Sequence, residues 1–520
     1  MVNPAGTYVF VSVAIAPQLA AGEHPLTLTT DDGTATIPFR LEAPLDAARN
    51  FQGLTCDDVI YLIMPDRFAN GDPSNDVPPG APPEATNRAD PRAYHGGDLR
   101  GIIEHLSYFK ELGVTALWLN PWCDNWNGIE GEGERRTTFY HGYHAVDYYA
   151  VEDRFGDMPT LRELVTKAHA LGLKVIQDQV ANHVGIQHPW ASKPPLENWF
   201  HPKQLGREVR GDVLLSPHTP PAVRQQFVNR WFTERLPDLN QEEPEVARYE
   251  IQNALWWVGI DGIRQDTVQY LPRFFIRDLS RALHRQYPKL WMVGEAWQID
   301  PAHVAFFLGG RAGWDGIDTG LDAAIDFPLW QTSRDVFTGT KPVSALREVL
   351  RYDGLYADAN RLMTMVSNHD VPRFRSVPGA MLGGARLHTA FTLSVRGIPQ
   401  LYYGDEIAMS GGRDHASNRA DFPGGFPGDN QNAFEASGRD AEQQAMFEWT
   451  RDWLRLRREY IIAINRSADV REMKAPATWL DLVAAEFRPL VGAGEARLID
   501  GAIVASVPAT GIVAFEVKRK

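Results

Sequence analysis

The sequence is short of several features that would have assigned it early. Its 520 residues include two cysteines, Cys56 and Cys123, which make neither a disulfide framework nor a zinc-ligand pattern. No Lys/Arg-rich run occurs and the formal net charge is −14, which argues against nucleic acid or an anionic membrane as partner. No apolar run reaches the ~20 residues of a membrane span. The opening stretch, MVNPAGTYVFVSVAIAPQ, has no basic n-region, so no signal peptide is legible. No Gly-rich phosphate loop follows the first strand of the α/β region, which weakens the case for a doubly wound nucleotide-binding sheet.

What is present is ordinary in bulk. Hydrophobic residues make up 44% and charged residues 23%, as in a soluble globular chain long enough for more than one domain. Fifteen Trp and sixteen Tyr exceed what a core needs. Their flat faces suit sugar rings, although packing accounts for most of them.

Residues 1–45 alternate in YVFVSVAIA, HPLTLTT and TATIPFRLEA and read as three or four antiparallel strands. A complete sandwich needs about seven, so this is a partial β-sandwich segment. The stretch PLDAARNFQG then reads as a linker. From 55 to 460 the texture changes to apolar runs alternating with amphipathic helical patterns. DVIYLIMPDRF, VTALWLNP, LKVIQDQVANH, IDGIRQDT, LWMVGEAW, LDAAIDFPLW, RLMTMVSNHD and GIPQLYYGDE supply eight strands, LDAAIDFPLW the weakest. Eight strands alternating with helices imply a parallel sheet, and at this length a closed (β/α)8 TIM barrel. A Pro-rich irregular excursion, 184–230, follows strand three, and long structured loops are usually functional. Residues 461–520 return to alternation as a small C-terminal β domain. Cys56 and Cys123 fall at opposite ends of such a barrel, about 17–20 Å apart. That is too far for a disulfide, which needs about 7 Å or less.

In a barrel the chemistry collects at the C-terminal ends of strands. Strand two leads to FYHGYHAVDYY. Strand three ends in Asp178, Asn182 and His183, and strand four in Arg264 and Asp266. Strand five ends in Glu295, and strand seven in Asn368, His369 and Asp370. Capping or surface ion pairing explains each alone. Gathered at one mouth, so many desolvated charges would be costly without a purpose. Paired carboxyls flanking a bond are the machinery of glycoside hydrolysis, one ionised and one protonated. Arg264 and Asp266 share a strand face at i, i+2, which favours an ionised Asp266 as nucleophile. Glu295 sits in VGEAW with no adjacent cation in sequence, as suits a general acid of raised pKa. Separately, Asn70, Asp72, Asn75 and Asp76 in DRFANGDPSND, with Asp98 to join them, offer oxygen ligands of the kind calcium takes. An Asx-rich turn explains the string equally well.

The segments DQVANH, GIRQDT, GEAW and VSNHD resemble, in order and on the expected strands, the four signature segments of the α-amylase family of retaining α-glucan hydrolases. VTALWLNP and GIPQLYYGDE resemble two more, and the likeness spans roughly 57–460. LPDLN (236–240) resembles the segment that marks the neopullulanase and cyclomaltodextrinase branch, and the opening strands resemble that branch's Ig-like domain. The resemblance implies cleavage of α-1,4-glucosidic bonds in maltodextrins, cyclodextrins, pullulan or starch. Asp266 would be nucleophile, Glu295 the acid/base and Asp370 the third carboxylate. It makes Tyr143, His183, Arg264 and His369 substrate-binding, with Asp414 and Arg419 gripping the next sugar. The spacing of that last pair departs from the branch by about one residue, and Gln179 stands where Val is usual. The resemblance also implies calcium on Asn70, Asp72, Asn75, Asp76, Gly96 and Asp98. The partner it implies is an α-glucan, with a homodimer left open, and the location periplasmic or secreted, with cytoplasm left open. Transglycosylation on the same fold is the alternative, and a non-catalytic glucan-binding protein a further one. The loop 122–144, with Trp122 and Trp126, is expected to narrow the cleft towards short or curved glucans.

Overall fold

The structure, a computed structural model, describes every residue except 32, 132–135, 205–210, 258, 413, 458–459, 477–484 and 520. Parts of loop 122–144 and of the excursion 184–230 therefore lie outside the described residues.

Eight parallel strands build the barrel: β1 (Ile60–Ile63), β2 (Ala116–Leu119), β3 (Lys174–Gln179), β4 (Gly262–Gln265), β5 (Trp291–Gly294), β6 (Ala323–Ala324), β7 (Met363–Met365) and β8 (Ile398–Tyr402). Each pairs with its sequence neighbour, β8 pairs back on β1, and a parallel bridge between Ile325 and Met363 closes β6 against β7. Runs such as IYLI and ALWL are buried at every position, because helices cover a parallel sheet from outside while side chains fill it from within. The helix Arg273–Gln286 shows the outer layer: Phe275, Ile276, Leu279, Ala282 and Leu283 are buried on one stripe, the i, i+3/i+4 pattern of an amphipathic helix.

Two elements differ from the sequence reading. LDAAIDFPLW forms only the two-residue β6, and its second half is the helix Phe327–Phe337. The Asp326 carboxylate accepts from Leu329 N at 3.1 Å and Pro328 occupies the first turn, a helix start that overrides the strand pattern. At the N-terminus the described residues form two strands, not three or four: Gly22–Thr30 and Gly33–Leu41 pair antiparallel as a hairpin. YVFVSVAIA forms no strand beyond an isolated antiparallel bridge of Val9 with Val2. It lies extended against the excursion, with Tyr8 beside Trp190 (6.4 Å between ring centres) and Phe10 beside Trp199 (6.5 Å). Alternation gives a strand only where another backbone is available to pair with it.

The excursion closes on its own entrance. Val184 N donates to Pro237 O (3.1 Å) and Leu239 N to Asn182 O (2.9 Å), so LPDLN returns the chain to the end of β3. Beyond the barrel, two three-stranded antiparallel sheets pack around Ala463, Ala505, Val507, Val513 and Phe515. No helix among the described residues is long and apolar enough to cross a membrane.

Candidate active site

Arg264 organises the mouth. Its side chain is fully buried, and Nη1 contacts Asp178 Oδ1 at 2.7 Å and Asp266 Oδ1 at 2.6 Å. Its Nη2 lies 2.8 Å from Glu295 Oε2, off the line of a good hydrogen bond. Glu295 therefore has a cation beside it, contrary to the sequence reading. The contact runs across strands: β4 and β5 are hydrogen-bonded neighbours with Arg264 opposite Val293, and a guanidinium on so long a side chain spans that gap.

One cation cannot neutralise three buried carboxyls. Burial pushes Asp178 up to about 7, aided by the charge of Asp266 and opposed by Arg264 and Tyr143. Burial likewise raises Glu295 well above the usual carboxylate range, with Arg264 pulling down and Asp266 and Asp370 pushing up. Desolvation wins because removing water costs a carboxylate more than one shared cation returns. Asp370 goes the other way. Burial raises it, but His369, His415 and Arg419 together hold it well below the ordinary range, with His369 Nε2 at 2.9 Å and Arg419 Nη2 at 3.0 Å. The mouth thus holds a proton-retaining Glu295 and an ionised Asp370.

Tyr143 lines the same space. Its hydroxyl donates to Asp178 Oδ2 (2.8 Å), receives Asn120 Nδ2 (2.8 Å) and lies 2.8 Å from His369 Nε2. Its ring stacks on His369 at 5.4 Å. Burial lowers the pKa of both His183 and His369, opposed by Asp266 at the first and Asp370 at the second. His183 Nε2 and His369 Nδ1 are buried without a hydrogen-bond partner among the described residues. Such atoms are open to the polar groups of a ligand. The structure brings Tyr143, His183, Arg264, Asp266, Glu295, His369, Asp370 and Arg419 together.

Asp414 does not join them. It is exposed and caps the short helix His415–Asn418, accepting from Ser417 N (3.1 Å) and Ser417 Oγ (2.6 Å). Arg419 turns inward instead, donating to His369 O and to Asp370. The spacing irregularity around GGRDHASNRADFPGG leaves the aspartate as an N-cap. Asp178, read at the end of strand three, joins the site as a partner of Tyr143, and two residues that the sequence reading did not place there now stand in it: Asn120, also a partner of Tyr143, and His415 beside Asp370. The position of Asn120, at the end of β2 in LNP, was the signal available.

The loop 122–144 leans on the excursion, with Arg235 Nε 3.3 Å from Glu130 Oε1 and Glu130 bridged to Thr137. Phe232, from the excursion, lies parallel to the His183 ring at 6.3 Å.

After β1, the string 70–76 folds against Gly96 and Asp98. Asn70 Nδ2 donates to Asp76 Oδ1 (2.9 Å). Asn70 Oδ1 and Asn75 Oδ1 are buried acceptors with no donor among the described residues. Burial pushes Asp76 up to about 6, with Asn70 opposing and the charges of Asp98 and Asp72 adding. Gly96 has φ +94°, and a Cβ there would stand 2.5 Å from Asp76 Oδ1. Asp98 accepts from Gly71, Asp72 and Gly101 backbone N–H groups, and Asp72 from Ser74. No cluster of three or more His, Cys, Asp or Glu side chains suited to a metal occurs among the described residues. The oxygens here come from asparagines and isolated aspartates.

Residues 62–477 match the alpha amylase catalytic domain. The chain is 35% identical over 373 residues to a beta/alpha-amylase of Paenibacillus polymyxa (69% of this chain, 28% of that one). It is 35% identical over 369 residues to neopullulanase 2 of Thermoactinomyces vulgaris (68% and 57%). Among solved structures, an Anoxybacillus alpha-amylase superposes with a TM-score of 0.72 at 29% identity, covering 89% of this chain and 98% of that one. The matched region spans little more than half of the neopullulanase and less of the P. polymyxa protein. A match over so much of the barrel, carrying all eight strand ends described above, makes the chain a member of the alpha-amylase family through its catalytic domain.

Proposed function

We propose that this protein hydrolyses α-1,4-glucosidic bonds by a two-step retaining mechanism. The observation that carries the reading is Arg264, whose guanidinium touches Asp266 and Glu295 at once. Two carboxyls gripped by one guanidinium are held close together, which supports the ~5–5.5 Å separation of retaining enzymes. Glu295, kept protonated by burial, gives its proton to the glycosidic oxygen as that bond breaks. Asp266, held by a charge-assisted hydrogen bond, attacks the anomeric carbon and forms a glycosyl ester. Glu295, now ionised, takes a proton from water, the water oxygen displaces Asp266, and sugar and free carboxylate are restored. Asp370, His183 and His369 bind hydroxyls of the ring being cleaved, and Tyr143 lies beneath it.

A second sugar in place of that water would give transglycosylation. A relative named cyclomaltodextrin glucanotransferase, from a Bacillus strain, is 31% identical over 400 residues. Relatives named neopullulanase and cyclomaltodextrinase, and the Glu130–Arg235 contact across the rim, support short or curved glucans as substrates. That reading expects a higher kcat/KM per bond for cyclodextrins than for soluble starch, and equal efficiency on starch would refute it.

For the metal, Asn70, Asn75 and Asp76, with Asp72, Asp98 and the Gly96 carbonyl, would hold calcium. The two donorless asparagine oxygens and the glycine cradle fit that role. When bound it supplies a fixed loop geometry.

The test of the catalytic reading is Asp266→Asn and Glu295→Gln, each assayed for release of reducing sugar and for thermal melting. Both should lose turnover with melting retained. Near-normal turnover in either removes the role assigned to it.

A further inference from the structure

A second concavity opens behind the wall that carries Phe232. Its volume is about 210 Å³. Leu214 and the helix Pro221–Val228 of the excursion form one side. The segment after β4 and the loop around Trp314 form the other. A line of rings separates it from the catalytic mouth: His183, Phe232, Tyr270 and Phe227, at successive centroid distances of 6.3, 5.5 and 5.0 Å.

Its lining is a pair of rings, each with a guanidinium over one face. Trp314 stays 41% exposed, although its Nε1 is committed to Leu214 O at 2.9 Å. Phe306 lies nearly parallel to it, at 11° and 6.4 Å. The Arg224 guanidinium sits 4.4 Å over the Trp314 ring and that of Arg273 sits 3.9 Å over Phe306. Arg273 is only 8% exposed. Its Nη1 binds Asp315 (2.5 Å) and its Nη2 donates to Ile317 O (2.8 Å). Its Nε is buried with no partner among the described residues, a donor whose burial is costly unless something accepts from it.

These features select a ligand class. Two cations and two anions (Arg224 and Arg273, Asp315 and Glu242) edge the cavity, so it has no net sign to attract an ion. Each guanidinium covers one face of its ring, and the exposed remainder of Trp314 beside hydrogen-bonding edges suits a neutral molecule with one apolar face and a hydroxylated rim, as a pyranose has. The volume falls below the ~300–1,000 Å³ of pockets that bury drug-sized ligands, which leaves room for one ring and none for a continuing chain.

We propose that this cavity binds the terminal glucosyl unit of an α-glucan, apart from the catalytic centre. The proposal rests on the α-glucan reading above. It is tested on the inactive Asp266→Asn/Glu295→Gln protein, by retardation in native gels containing amylopectin, with saturating α-cyclodextrin to fill the catalytic cleft. A ring of sugars has no chain end, so retardation should persist. Trp314→Ala and Arg224→Gln should each weaken it about three- to tenfold. In the active enzyme the same substitutions should leave kcat/KM on a short chromogenic maltoside within about twofold. Arg224→Gln keeps the test open if Trp314→Ala does not fold, as judged by melting. Unchanged retardation in a folded variant overturns the proposal, and so does an equal fall in short-substrate kcat/KM. If the parent enzyme releases no sugar from starch or maltotriose, the α-glucan reading itself fails, and that result is distinct from either.

Discussion

Arg264→Lys is the most informative single change in this molecule. The guanidinium makes close contacts to Asp178, Asp266 and Glu295 between 2.6 and 2.8 Å, and none of its side chain reaches solvent. A lysine ammonium keeps the charge but is a single point on a flexible stem, so it cannot hold all three carboxyls in one plane. Losing one partner of a buried ion pair costs about 3–5 kcal/mol. If that loss falls on the transition state, kcat/KM drops by about 10²–10⁴. The pH profile carries a second signature. Arg264 pulls down a Glu295 that burial has raised. A general acid works while protonated, so activity falls as pH rises through its folded pKa. Weakening the Arg264 contact lets that pKa rise further, which should move the alkaline limb upward. The assay is kcat/KM on maltotriose from pH 5 to 10, with melting temperatures at each pH. A variant within about fivefold of the parent and with an unmoved alkaline limb would show that Arg264 is a structural ion pair and nothing more.

Three further outcomes are expected. Glu250 is fully buried, both of its oxygens lack partners among the described residues, and burial pushes it up to about 8. Its folded pKa exceeds the unfolded one, so the stability it contributes is present at acid pH and lost as pH rises towards 8. Glu250→Gln should therefore lose less melting temperature than the parent between pH 6 and 9, and parallel curves would contradict this. Excess chelator should lower the melting temperature more than it lowers the initial rate at low temperature, because the 70–76 loop lies at β1 and the acid pair on β4 and β5. An unchanged melting curve would count against the metal. Both cysteines are free, Cys56 exposed and Cys123 buried with its thiol pushed well up by burial. A thiol reagent should find one group in the native protein and two in denaturant, and none in denaturant would mean a disulfide.

Much of this was legible before any coordinates, and the exceptions share a cause. The eight strand ends could be read because each strand announces itself within a few residues, and Arg264 with Asp266 follows from a period of two. What escaped is set by neighbours distant in sequence. Glu295 is touched by a cation on the adjacent strand, which no in-strand spacing reveals. Asn120 reaches Tyr143 across a loop. Residues 8–16 alternate like a strand, yet backbone pairing reaches only their first three, through Met1–Asn3. Asp414 stands apart from the buried cluster for the opposite reason, since a local cap at Ser417 holds its carboxylate.

The return of LPDLN to the end of β3 has a consequence for how such proteins can diversify. Residues 182–184 and 237–239 touch through Val184–Pro237 and Leu239–Asn182 hydrogen bonds, so the excursion leaves and rejoins the barrel through one doorway. A segment whose two ends already meet adds little closure entropy when it is lengthened, about 0.6 kcal/mol per doubling. It behaves as a cassette: its interior can be exchanged, shortened or redecorated while β3, β4 and the carboxyls they carry keep their register. The Trp314 cavity is half built from that cassette, through Leu214 and Arg224. A swap of the segment between relatives would therefore carry away half of that cavity, and leave the catalytic carboxyls and Arg264 behind.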